Sequence, residues 1–143
     1  MTAKQYLRQA YRLNELINSD LEELAQLRSL SESVPSPNLS GMPSSGTRNT
    51  EPAFARYIDK IVDLEKIIND EIDRFVDLKK EIRCVINNVV DPNEKLVLRL
   101  RYIEFLKWEA VASSMDLSLK QIHRIHASAL INVKIPYQET NCP

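Results

Sequence analysis

The residues of this chain whose types and spacing could do chemistry lie close together near its end. They are Ser118, Lys120, Gln121, His123, Arg124 and Ser128, with Lys107 a little upstream and an apolar Leu119 among them. Arg124 and Gln121 can bond base edges, Arg preferring guanine and Gln adenine. Lys107, Lys120 and Ser118 suit phosphate contacts, as do the free N–H groups of a helix start. His123 and His126 are three residues apart, a spacing that could share a metal. No third ligand is placed nearby, so no metal is expected. His123 reads as a base or phosphate contact, His126 as a plain surface residue and Trp108 as a half-buried core residue. There is no Gly-rich phosphate loop, no His-Glu-x-x-His and no His beside a nucleophile, so neither an enzyme nor a cofactor is expected. The carboxylates between residues 59 and 77 read as the solubilising face of a helix.

The elements that position these residues follow from capping signals. Asp91-Pro92-Asn93-Glu94 places Asp at an N-cap, Pro at N1 and Glu at N3, and so starts a helix. Leu96, Leu98, Leu100, Tyr102 and Ile103 supply its apolar content to about Glu104. After a turn at Phe105-Leu106, a helix from about Lys107 to Met115 puts Trp108, Val111, Ala112 and Met115 on one face. Asp116-Leu117-Ser118 makes the next turn. Ser118 and Gln121 have capping-box spacing, so a third helix starts there with Ile122, Ile125, Ala129 and Val133 inward. It ends before Pro136. Small Ala112 at the crossing and Leu117 plugging the turn give a helix-turn-helix outline. Its outward positions are Leu119, Lys120, Gln121, His123 and Arg124, with Ser128 further along.

Upstream, Leu7, Ala10, Leu13, Ile17, Leu21, Leu24 and Leu27 recur at helical spacing through residues 2–33. Residues 35–52 are rich in Pro, Gly and Ser and read as a flexible linker. From 53 to 90, Phe54, Ile61, Ile68, Phe75, Ile82 and Val89 repeat every seventh residue. Such a repeat keeps one stripe on a partner helix. The two helices fit an antiparallel hairpin and fit equally the arms of a dimer. Ile61, Ile68, Ile72, Phe75 and Ile82 are the expected hairpin or oligomer interface. The fold class is thus all-α: a long antiparallel helical hairpin (coiled coil) over 1–90, a small three-helix helix-turn-helix domain over 91–135, and a tail over 136–143.

Composition agrees with this class. Of 143 residues, 43% are hydrophobic and 27% charged, with two Gly and three Phe, too few for a β protein. Nineteen Lys and Arg against twenty Asp and Glu give a net charge of −1. Bulk charge therefore does not drive nucleic-acid binding, and a local patch, a dimer or a partner must. From Lys107 to Lys134 the patch is sparse, four basic residues to two acidic. No apolar run suits a membrane span, and no secretory segment opens the sequence. Cys84 and Cys142 lack any CxxC spacing, so the expected compartment is cytoplasmic.

The stretch KWEAVASSMDLSLKQIHRIHASALINV resembles the end of region 4 of bacterial sigma factors. The matching positions are Trp108, Glu109, Val111, Ala112, Leu117, Ser118, Ile122, Ile125, Ala129 and Leu130. The preceding LRLRYIEF resembles the lead-in helix of that region. The whole chain is also similar to a family of small proteins encoded by phages and integrated elements of Gram-positive bacteria, taken as sigma-like regulators. The resemblance implies a sequence-specific DNA-binding transcription regulator of phage or mobile-element origin. Double-stranded DNA is its implied partner, and RNA polymerase and a second copy of the chain are further ones. Leu119 departs from the pattern, since sigma factors usually carry Arg or another polar residue there. Two alternatives stand beside this reading: an adaptor that binds RNA polymerase through the helical hairpin, and a phage packaging protein.

Overall fold

The computed structural model describes residues 1–33 and 53–136. The expected linker at 35–52 and the tail beyond Pro136 lie outside them. The described residues form six helices, α1 (Ala3–Leu7), α2 (Gln9–Ser33), α3 (Ala53–Asn87), α4 (Pro92–Tyr102), α5 (Trp108–Met115) and α6 (Leu119–Asn132). No strand is present among the described residues, and the all-α class holds. No described helix is long and apolar enough to cross a membrane.

The chain divides into two compact units, one of Met1–Asn14 with Arg74–Pro143 and one of Glu15–Asp73. The sequence instead suggests boundaries after residues 90 and 135. The difference has a physical cause in the seven-residue stripe. Ile82, Val85, Ile86 and Val89 pack with Tyr6, Leu7 and Ala10 against Leu98, Tyr102, Ile103, Ala129 and Val133. The end of α3 therefore belongs to the core beneath α4 and α6. Leu7, Ala10, Ile82, Ile86, Leu98 and Ala129 are completely buried there. Thr2 caps α1 through a reciprocal box with Gln5, which fixes where the first helix begins.

A second cluster in this unit, Val97, Val111, Ala112 and Ile122, joins α4, α5 and α6, with Leu117 and Trp108 at its edge. Two non-glycine residues in the unit have positive φ, Phe105 at 59° and Asp116 at 54°. Such a conformation costs a bulky residue roughly 1–2 kcal/mol. Packing against the rings of Tyr11 and Phe75, at 5.6 and 6.2 Å, holds Phe105 there.

In the other unit, α2 and α3 run antiparallel. Arg28 Nη2 meets Glu65 Oε1 at 2.6 Å, whereas Asp20, two turns earlier in α2, meets Glu71, later in α3. Leu24, Ile61, Leu64 and Ile68 form its core, with Leu27 alongside. That core is thin. Phe54, Val62 and Ile67 are about half exposed, and Ile72 is 38% exposed.

Candidate nucleic-acid interface

Helix α6 is the element that carries most of the candidate residues, and its start is set by chemistry legible in the sequence. Ser118 accepts from the Gln121 backbone N–H at 3.2 Å, and Gln121 Oε1 accepts from the Ser118 N–H at 3.0 Å. The turn before it is closed by α5 ending on Asp116 in the left-handed region. The Leu117 N–H reaches the Ala112 carbonyl at 3.1 Å and the Asp116 N–H reaches that of Ser113 at 3.3 Å. These two bonds are a Schellman closure, and they hold the turn to three residues. Leu117 then packs onto the cluster around Ala112, the small residue at the crossing.

Outward from α6 stand Leu119, Lys120, Gln121, His123 and Arg124, all exposed, with Leu119 at 42%. Lys107, the N-cap of α5, is also exposed. The capping box limits Gln121. Its carbonyl is taken by the Ser118 N–H and hydroxyl, at 3.0 and 3.2 Å. Only its amide NH₂ remains to donate, so the paired donor and acceptor that read adenine are not both free. Ser128 is partly buried and gives its hydroxyl to Glu94 Oε1 at 2.6 Å.

Glu94 is a buried carboxylate, 6% exposed, and a residue whose second role the sequence reading missed. At N3 of α4 it favours the positive end of that helix. It also accepts from Asn132 Nδ2 at 3.0 and 3.1 Å. One acidic side chain in α4 thus clasps α6 at Ser128 and Asn132 and sets the angle at which α6 presents its outer face.

Behind that face is a column of rings. Trp108 lies 4.9 Å from His123 and 4.6 Å from His126, and the Arg101 guanidinium sits 4.5 Å from the Trp108 ring. His126 is not a surface residue. It is 7% exposed, and its Nε2 is 2.7 Å from the Tyr102 hydroxyl. It lies four residues after Ile122 and three before Ala129, so helical spacing sets it on the inward stripe, and only its polar type argued for the surface. Burial lowers its pKa to about 4, helped by the positive charges of Lys4 and Arg101 and by His123. Near neutral pH it is an uncharged bonding partner of Tyr102, whose own pKa burial raises. Among the described residues, no three or more His, Cys, Asp or Glu come together as a metal site would need.

The interface residues expected for the hairpin separate. Ile61 and Ile68 are buried against Leu24 in one unit. Phe75 and Ile82 belong to the core of the other, and Ile72 remains partly exposed.

Charge is unevenly divided. Residues 1–14 and 74–143 carry fourteen Lys and Arg against eight Asp and Glu, a net +6. Residues 15–73 carry five against twelve, a net −7. The near-zero total conceals a basic unit, and it is the one that holds α6. Lys4, Arg8 and Arg12 add to it from the far end of the sequence. A running sum of charge would have shown the asymmetry, but not that these residues join α6.

Residues 34–134 match the family DUF1492, described as proteins of unknown function. The match spans most of the chain, which belongs to that family. No curated protein and no solved structure matches it.

Proposed function

We propose that this DUF1492 protein is a sequence-specific DNA-binding transcription regulator that reads duplex DNA with the outer face of α6. The observation that carries the proposal is the placement of Lys120, His123 and Arg124. They stand side by side and exposed on the second helix of a helix-turn-helix, within a unit of net charge +6. Such a helix enters the major groove by its first turns, while basic residues at the start of the supporting helix hold the backbone. The resemblance to sigma region 4 supports the same use of these positions and suggests RNA polymerase as a partner and a phage or mobile element as the origin. The acidic unit is repelled by DNA and is free for other work. Its exposed apolar positions, Phe54, Ile58, Val62 and Ile67, suit self-association, which would raise the effective concentration of a second DNA-reading unit.

Selection of bound sequences from random duplex DNA tests this reading. A recurring site is expected, palindromic if two copies bind together. Arg124→Ala should relax preference at a single position and cost about 1–3 kcal/mol. Failure of the full-length protein to bind any duplex at low salt would overturn the proposal. A second reading is favoured by Leu119, an apolar residue exposed on the reading face. In it the protein is an adaptor for RNA polymerase, and polymerase is recovered with the protein after all DNA has been digested.

A further inference from the structure

A small cavity of about 170 Å³ in the basic unit is lined by Arg8, Tyr11, Arg101, Tyr102, Phe105 and Lys107. Three of its six lining residues are cations and none is an acid. Beside it, Thr2, Lys4, Gln5, Arg8 and Arg12 line a larger hollow of about 470 Å³, again with no acid, and Arg8 belongs to both. A cleft walled by cations without a counter-charge repels them from one another unless an anion enters. Among the described residues, no ion pair engages Arg8, Arg12, Arg101 or Lys107.

Two further features point to an oxyanion. Lys107 is the N-cap of α5 but makes no side-chain capping bond, so the first N–H groups of that helix have no capping side chain. Glu109 in the first turn offers its charge to the helix end but is not part of the cavity wall. The Arg101 guanidinium is also held in place. Its Nη1 donates to the Leu106 carbonyl at 2.9 Å and its face lies on Trp108, while its other N–H groups remain to donate. Trp108 in turn lies against His123 of α6, so Arg101 links one wall of the cavity to the reading face through a single ring.

We infer that the Arg8–Arg101–Lys107 cavity is a phosphate site, filled by a backbone phosphate of the DNA that α6 reads, with Lys4 and Arg12 tracking the neighbouring phosphates. The DNA-facing surface then includes the first helix of the sequence, which sequence reasoning left in the hairpin. This identification of the phosphate's source rests on the proposed function; the site's affinity for phosphate does not.

Two measurements on the full-length protein test it. In the first, inorganic phosphate is titrated and followed by NMR of the Tyr102, Trp108 and arginine side-chain signals. Saturable shifts are expected, lost in Arg8→Gln and kept in Lys120→Ala. In the second, the slope of log affinity against log salt is measured on duplex DNA. Each lost phosphate contact should lower it by about 0.9. Arg8→Gln should therefore reduce the slope by about 1, with sequence preference unchanged and with Arg8→Lys largely restoring it. Thermal unfolding of each variant separates lost contact from lost fold. Absence of saturable phosphate shifts overturns the site. Phosphate binding with no change of slope on DNA overturns the backbone as its source. Phosphate binding by a protein that binds no duplex at all overturns the proposed function and leaves a site for a free phosphorylated ligand.

Discussion

The basic unit and the hairpin unit are built from the same kind of helix, and α2 and α3 each supply both, yet they are opposed in charge and in depth of core. Five helices bury eight aliphatic side chains or alanines around Leu98 and Ile82 in the first, and a second cluster joins α4, α5 and α6. The hairpin's cluster has four buried residues, and twice as many large apolar ones in that unit are exposed. Sequence periodicity scores the two alike. The heptad that α3 carries without a break meets one partner helix at Ile61 and Ile68, and a whole domain at Phe75 and Ile82. A regular apolar stripe states that something covers it, not what.

The largest test of this contrast is to cut the basic unit where the sequence suggests. A fragment of residues 91–143 lacks Tyr6, Leu7, Ala10, Ile82, Val85 and Ile86, each contributing roughly 1–3 kcal/mol of burial. Their sum exceeds the stability of a small domain. The fragment should be unfolded, with collapsed amide dispersion by NMR, and a folded fragment would break the division into these units. On a smaller scale, Ile86→Ala should cost about 2–5 kcal/mol in urea unfolding. Ile67→Ala, at 52% exposure, should change stability by less than about 0.5 kcal/mol.

The units should also answer acid in opposite directions. His126 has its folded pKa lowered to about 4 from an ordinary 6.5, so unfolding takes up a proton between those values. Its contribution is full above pH 6.5 and is lost as pH falls to 4, up to about 3 kcal/mol. Glu71 behaves in reverse. Burial, then a hydrogen bond with Asp20 and that residue's charge, raise its pKa above 4.5. Its contribution is present below 4.5 and lost as pH rises through the raised value. Fluorescence of Trp108, the single tryptophan, reports the basic unit alone. Hydrogen exchange of α2 amides within residues 15–33 reports the other. Glu71→Gln should flatten the response of the hairpin and leave that of Trp108 unchanged.

The smallest effects sharpen the comparison at single residues. Asp116→Gly relieves a left-handed Asp and should stabilise the basic unit by up to about 1 kcal/mol. Arg28→Ala removes an ion pair whose side chains are 55% and 42% exposed, and should cost no more than about 1 kcal/mol.

What the sequence discloses is local. The Ser118–Gln121 box, the Asp91 cap and the turn at Asp116 are decided by neighbours three residues apart, and each is found where the pattern puts it. The inward positions Ile122, Ala129 and Val133 follow the same way. What escapes it depends on residues brought from afar. His126 bonds Tyr102 across two helices, Glu94 is a cap and also a clasp on Ser128 and Asn132, and Arg8 shares a cavity with Arg101. No spacing encodes those meetings.

The discontinuity of the basic unit has a consequence in time. Residues 1–14 are synthesised before the segment from Arg74 onward that covers them, with the whole hairpin unit made in between. Tyr6, Leu7 and Ala10 must wait, uncovered, until Ala129 and Val133 have been added. Sequence-distant contacts of this kind slow folding, and apolar surface left waiting invites chaperones or misassembly. The hairpin, whose contacts are nearer in sequence, can close first. The order of folding is then hairpin before basic unit, and the unit proposed to bind DNA is the last part of the chain to be completed.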